Sequence, residues 1–418
     1  MRSEMQRRTC NMSRKFCFSS YVATLDELRV AVEAGIDHLI LEDSKLSVRC
    51  FENHFDEPSY INLEMLCKEA RRLKEDISLS VNCDGLYHND DFTKLHILIP
   101  ILKALNILEI RVQDLGVLLF FRQYFPEAKI IFNLEIGNHN TLAVKEIVGN
   151  AQGQVLANEA PLKTLQDMVL SLRETTSDYH CELQVQGLLL LQYSWRRYMA
   201  GLLGLEADAS CSIIKKAQDN DYPGRIFTFL DNPHGHFMLS YFDRCLFRYI
   251  PDLMSLNLDR WLFDLRGYKP DQQKAVFILF RQEKDRYLRD PVHYKIDEES
   301  WLALEKSSPR PLKVGFFRAN HTDRERRKYP TDLEGFDQIG QVLDSEKEKW
   351  VVIECFETLY PTEQCLALTA EGKEIKLSLT GMQSLEGESL TASHSHRLIR
   401  LPWQKGLKTK LPVYRVSS

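Results

Sequence analysis

The chain has 418 residues, 44% hydrophobic and 27% charged, with 19 glycines and 15 prolines; this ordinary globular composition excludes a disordered, collagen-like or simple coiled-coil molecule. Its 54 Lys and Arg stand against 59 Asp and Glu, a net charge of −5, which argues against wholesale wrapping of nucleic acid while leaving room for a local basic groove. The longest apolar stretches, such as Ile97–Leu102 and Leu188–Leu191, fall well short of the ~20 residues a membrane span needs, so no membrane insertion is expected.

Residues 1–14 form a basic leader, with Arg2, Arg7, Arg8 and Arg14, and no apolar region or small-residue cleavage site follows it. A solvated tail is expected there, not a secretory signal. The ten cysteines show no CxxC and no framework spacing, so they read as reduced thiols and the expected location is cytoplasmic.

From Phe16 to about Arg173 short apolar runs alternate with amphipathic stretches. The expected strands are Lys15–Phe18, His38–Leu41, Ile77–Val81, Leu108–Val112, Lys129–Leu134 and Gln154–Ala157. The helices between and after them are Leu25–Ala34, Leu63–Leu73, Phe92–Leu105, Val117–Phe125, Leu142–Val148 and Leu165–Leu172. Helix-spaced strands pair in parallel with right-handed crossovers. Glu182–Gln186 and Arg260–Leu265 complete eight strands, and Ser19-Ser20-Tyr21 after the first strand is no Gly-rich phosphate loop. A TIM-like (β/α)8 barrel over 15–334 is therefore expected. Between Tyr193 and Arg244 the alternation breaks at strong turn signals, including Asn232-Pro233-His234-Gly235, which predicts an insertion over the carboxyl-terminal face of the barrel. From about Gly335 the period becomes two, with short runs at Trp350–Cys355, Gln364–Leu368, Glu374–Leu379, His396–Leu401 and Val413–Val416. A small C-terminal all-β domain, 335–418, of β-barrel type is expected.

Candidate catalytic residues are those at strand ends. Glu159 and Asp114 can present carboxylates to a polar ligand, against the alternatives of an ion pair for Glu159 and a helix N-cap for Asp114. Asn82 can hydrogen-bond a substrate or close an Asx-turn before Asp84-Gly85. Arg196 and Arg197 flanked by Trp195 and Tyr198, then Lys215-Lys216, and a run that starts at Arg318, are candidate substrate-binding residues. Guanidinium groups beside aromatics grip phosphates and stacked bases of single-stranded RNA. His234 and His236 flank one glycine and predict a hairpin tip, not a zinc site. No GxSxG, HExxH or local Cys-His signature supports a peptidase.

Several phrases in order along the chain resemble the collagenase-like proteases, peptidase family U32. They are Ala23–Leu28 with Ala34–Leu41, Val81-Asn82 with His88-Asn89-Asp90, Val112–Val117, Val155–Glu159, Glu182–Gly187, Gly315-Phe316-Phe317 and Leu368–Val416. The resemblance implies oxygen-independent hydroxylation of a tRNA uridine, an rRNA cytidine or a ubiquinone precursor. In the RNA cases it implies prephenate as an oxygen-donor link, and it also implies a second U32-like subunit as a partner. It further implies a [4Fe–4S] cluster on four cysteines, which needs four converging thiolates. Two of those positions fall on Leu190 and Arg197, while Cys211 and Cys245 fall near the other two; Cys50 and Cys83 are the substitute ligands. The family's Glu-Gly-Arg after strand eight is Arg266-Gly267-Tyr268 in this chain. The expectation is a divergent member that acts in RNA modification or as a partner subunit and has lost the cluster. The alternatives are a cluster-bearing tRNA or rRNA hydroxylation enzyme with substitute ligands, and a U32-type peptidase.

Overall fold

The computed structural model describes residues 16–51, 60–133, 137–203, 212–218, 225–318, 336–368, 374–395, 397–409 and 411–416. The chain divides into two compact units, Met1–Ala319 and Asn320–Ser418.

In the first unit, strands β1 (Cys17–Val22), β2 (His38–Leu41), β3 (Ser78–Cys83), β4 (Glu109–Val112), β5 (Lys129–Phe132) and β6 (Gly153–Val155) alternate with helices. Each strand pairs in parallel with the next. β7 (His180–Ser194) continues the series; after the segment β8 (Ile213–Gln218), β9 (Ile226–Asn232) and β10 (Gly235–Cys245), β11 (Arg260–Asp264) pairs with both β7 and β1. Those two pairings close an eight-stranded parallel barrel. The helices start where local chemistry lets them. Thr24 and Glu27 form a capping box before Leu25–Glu33, and the Asn140 side chain caps Thr141–Val148, each satisfying amide N–H groups that the first turn leaves orphaned. Alternate strand residues such as Leu39, Leu41, Ile110, Val112, Leu183 and Phe263 pack against the helices as the main apolar core.

The insertion is not irregular. β7 runs eight residues beyond its expected end at Gln186, because Gly187, at φ +125°, turns the strand out of the barrel. A Cβ at Gly187 would lie 1.8 Å from the Asp264 carbonyl oxygen. Beyond that bend β7 pairs antiparallel with β10, β10 with β9, and β9 with β8, and the short β12 (Leu312–Lys313) adds to β10. Pro233 and His234 form the β9–β10 turn, the hairpin tip expected from sequence. The helix Glu298–Ser307, which the apolar pattern does not announce, starts at the Asp297 cap.

The second unit is an antiparallel half-barrel of β13 (Phe336–Glu346), β14 (Trp350–Cys355), β15 (Gln364–Leu368), β16 (Glu374–Ser378), β17 (Arg397–Pro402) and β18 (Pro412–Val416). Its strand order is β16-β15-β18-β13-β14-β17. Ile339, Val342, Val351, Ile353, Ile399 and Val413 form its own core.

Candidate functional site

Strand residues with an alternate set of side chains on the helix side leave the other set to fill the barrel, and here that set is polar at both ends of the lumen around a small apolar middle. Contacts among inward-facing strand residues trace the lumen. At the amino-terminal end, Ser19 Oγ lies 2.6 Å from His38 Nδ1, and His38 Nε2 lies 3.2 Å from Glu109 Oε1. Arg260 bonds Glu109 and, at 3.0 Å, Glu182, and Arg111 Nη1 donates to Glu182 Oε2 at 2.8 Å. Tyr21, Ile40, Ile131, Val155 and Leu262 form a small apolar cluster of their own. Burial, then the Arg260 charge, lowers His38 to about 4. Burial pushes the Glu182 carboxyl upward, but Arg111, His180 and Arg260 together hold it well below the ordinary carboxylate range.

At the carboxyl-terminal mouth a second network converges. Arg266 Nε and Nη2 donate to Asp264 Oδ1 and Oδ2 at 2.7 and 2.6 Å, while Nη1 reaches Glu42 Oε1 at 3.0 Å. Arg49 Nη2 adds a bond to Asp264 Oδ2 at 3.1 Å. The Arg266 guanidinium lies 4.3 Å from the centre of the Tyr21 ring, a cation–π distance, and Asn133 donates to the Tyr21 hydroxyl at 3.3 Å. Burial pushes Glu42 up to about 7, against the opposing pull of Arg266. Asp264 goes down to about 2 although burial opposes it, because Arg266 and Arg49 hold its charge. Glu42 Oε2, Asn82 Oδ1 and Asn133 Oδ1 are buried with no hydrogen-bond partner among the described residues.

The arm formed by β8–β10 leans on the loop after β2: His234 Nε2 sits 2.7 Å from the Ser44 carbonyl oxygen and Asn232 Nδ2 donates to the Val48 carbonyl at 2.8 Å. Beside this junction a cavity of about 500 Å³ is lined by Lys45, Tyr60, Tyr87, Lys94, Trp195 and His234, among others. The Trp195 ring is half exposed and stands edge-on to His88 at 4.7 Å. Aromatic faces and ammonium groups in one concavity suit a flat, anionic ligand.

Of the residues picked out from sequence, Asn82 is buried in the mouth and donates to Glu42 Oε1 at 3.3 Å. Asp114 caps the helix Leu115–Tyr124, its Oδ1 accepting from Val117 N at 2.9 Å; the cap, not a catalytic carboxylate, is the role the geometry gives it. Glu159 is part-exposed, 2.8 Å from His139 Nε2, the ion pair that stood as the alternative to a site role. Arg196 is exposed beside Trp195, Arg197 is partly buried, and Lys215 and Lys216 are exposed on β8. Arg318 lies over the Tyr249 ring at 5.2 Å. Cys211 and the run 319–328 lie outside the described residues.

Of the candidate cluster thiols, Cys50 is buried, and Cys83 and Cys245 do not face the mouth. Cys83 and Cys245 belong to the apolar core that faces the helices, where burial raises Cys83 well above, and Cys245 to about 12 from, the usual thiol value. Among the described residues no three His, Cys, Asp or Glu side chains gather as a metal site, and no helix is long and apolar enough to cross a membrane.

Glu42, Arg49, Asp264 and Arg266 carry no motif. The signal for them is the pair of polar residues four places apart that brackets each apolar run in His38-Leu39-Ile40-Leu41-Glu42 and Arg260-Trp261-Leu262-Phe263-Asp264. Strands buried on both faces usually read as continuous apolar runs, so polar residues at both ends of one strand face mark the two polar ends of the lumen.

The model of peptidase family U32 matches residues 23–327. No curated protein matches the chain. Among solved structures, the C-terminal domain of a Geobacillus thermoleovorans putative U32 peptidase is 13% identical, covering 18% of this chain and 96% of that one at a TM-score of 0.18. N-acetylneuraminate lyase from Fusobacterium nucleatum is 8% identical over 76% of this chain and 84% of that one, TM-score 0.39. A glycerophosphodiester phosphodiesterase from Parabacteroides distasonis is 10% identical over 63% and 98%, TM-score 0.35.

Proposed function

The chain belongs to peptidase family U32, and from that premise we propose that it is a cluster-free member of the RNA-modification branch, located in the cytosol, that grips single-stranded RNA at the barrel mouth. One observation supports this above the rest: the cavity where Tyr60, Tyr87 and Trp195 meet Lys45, Lys94 and His234. It is large enough for a nucleotide and offers rings for a base and the Lys45 and Lys94 ammonium groups for its phosphate, Lys94 also pairing with Asp91 of the same wall at 2.6 Å. Exposed Lys215 and Lys216 on β8 extend the basic surface along the arm. Hydroxylation through an iron–sulfur cluster is not part of this reading, since Leu190 and Arg197 stand at two ligand positions and Cys83 and Cys245 are core thiols.

Fluorescence anisotropy with a labelled 12-nucleotide single strand tests the proposal. Binding should weaken linearly in log–log salt plots, and Trp195→Ala should reduce affinity roughly 5- to 100-fold, as loss of one stacked base does. Equal affinity of Trp195→Ala and the parent chain sinks it.

A second reading, a subunit of a larger assembly, is favoured by the arm. Leu202 and Leu203 are exposed at 79% and 44%, and β8 pairs on one side only among the described residues. Apolar groups beside an open strand edge suit a protein partner. The peptidase reading has less support. Ser19, His38 and Glu109 stand in the order of a Ser-His-acid triad, but all three are buried, His38 turns Nδ1 to the serine, and Glu109 is engaged by Arg260.

A further inference from the structure

We propose that the recess at the ends of β1, β2 and β11 binds a compact zwitterion of the amino-acid type, with its ammonium group on Glu42 and its carboxylate toward Lys269. This site is separate from the cavity assigned to RNA, and neither reading depends on the other.

The recess measures about 160 Å³, and Glu42, Phe51, Arg266, Gly267, Tyr268 and Lys269 contribute to its walls. That volume admits a small molecule, not a polymer segment. Gly267 takes φ +78°, and a Cβ there would stand 2.9 Å from the Phe51 ring, so the walls already approach closely and set the length of any occupant.

The polar atoms decide its charge. Arg266 is engaged at all three nitrogens, twice by Asp264 and once by Glu42. Its guanidinium is therefore committed within the protein and is a poor anion receptor. Glu42 is engaged on one side alone: Oε1 accepts from Arg266 and Asn82, whereas Oε2 is buried without a partner. A buried carboxylate oxygen without a donor is costly, and a charged donor relieves that best. The occupant must bring an N–H group, and an ammonium ion also adds a positive charge beside Arg266, whose own is shared with Asp264. Lys269 is exposed beside the recess, a cation placed for the opposite end of the same molecule.

The groups acting on Glu42 are Arg266, Asp84, Asp264 and Glu27, with Arg49 behind Asp264. Burial weakens the acid, so an ammonium ligand that requires the carboxylate releases a proton on binding below neutrality and binds more tightly as pH rises.

Isothermal titration of the full chain with glycine and β-alanine, against ethanolamine and acetate, tests this at pH 6 and pH 8. A zwitterion should bind more tightly than about 1 mM and better than ethanolamine, and acetate should give no heat. Affinity should rise about tenfold from pH 6 to pH 8. Glu42→Gln, checked for its native circular dichroism, should abolish binding. Lys269→Met, at an exposed position, should bring the zwitterions down to the affinity of ethanolamine. Heat from acetate alone, no heat from any of the four compounds, ethanolamine matching the zwitterions, or unchanged binding in Lys269→Met overturns the proposal.

Discussion

Glu42 and Arg266 lie 224 residues apart in the chain and meet at 3.0 Å in the barrel mouth. Both are buried, so each depends on the other for the charge that water no longer supplies. Removing one partner of such a pair leaves an uncompensated buried ion and is far more damaging than removing both.

Arg266→Met should therefore destabilise the first unit by roughly 3–5 kcal/mol. The double variant Arg266→Met/Glu42→Gln should recover a large part of that loss. Urea denaturation of the single and double variants measures both values, and additive effects would contradict the coupling.

Stability should fall on both sides of a window. Glu182 and Glu109 are held well below the ordinary carboxylate range, each by neighbouring cations that outweigh burial. Their contribution is present above the unfolded value of about 4.3 and disappears as pH falls through their folded values. Glu42 has the opposite sign. Its folded value, raised by burial from 4.5 to about 7, means that the folded protein holds a proton that the unfolded chain releases. Stability therefore declines between those two values, by on the order of 3 kcal/mol. Thermal melts from pH 4 to 8 should show this decline in the parent chain and lack it in Glu42→Gln.

Gly187→Ala should prevent correct folding or lower stability by more than about 3 kcal/mol, because the position combines φ +125° with a carbonyl 1.8 Å from the added carbon. Gly149→Ala is the control: it ends a helix in the right-handed region with nothing within 4 Å of the new methyl. Soluble yield and melting temperature of the two variants separate conformational strain from the loss of glycine as such.

Ser19 should resist a fluorophosphonate that labels activated serines. Its hydroxyl is buried beside a His38 that burial and Arg260 keep neutral, with a value of about 4. Mass spectrometry of the treated native protein should find Ser19 unmodified, whereas labelling there would revive the peptidase reading.

Much of the barrel was legible along the chain. The alternation of short strands and capped helices from Phe16 to Arg173, and the lack of a Gly-rich loop after the first strand, point to eight parallel strands before any contact is known. The Asp114 cap was also within reach, since a cap acts within its own helical turn. The arm was harder to read. Its strands depend on a bend at Gly187 whose reason is the carbonyl of Asp264, 77 positions later by number. The partner of Glu159 was not legible, because a carboxylate at a strand end looks alike whether it faces the lumen or meets His139.

By itself, then, the order of residues determined the layered βα architecture and the family, because each of these rests on local spacing or on residue identity. Only closure of the sheet decided that Glu42, Arg49, Asp264 and Arg266 share one mouth and that Cys83 and Cys245 turn away from it. Those outcomes depend on which face of each strand points inward and on charges meeting across a space that does not exist until β11 joins β1 and β7.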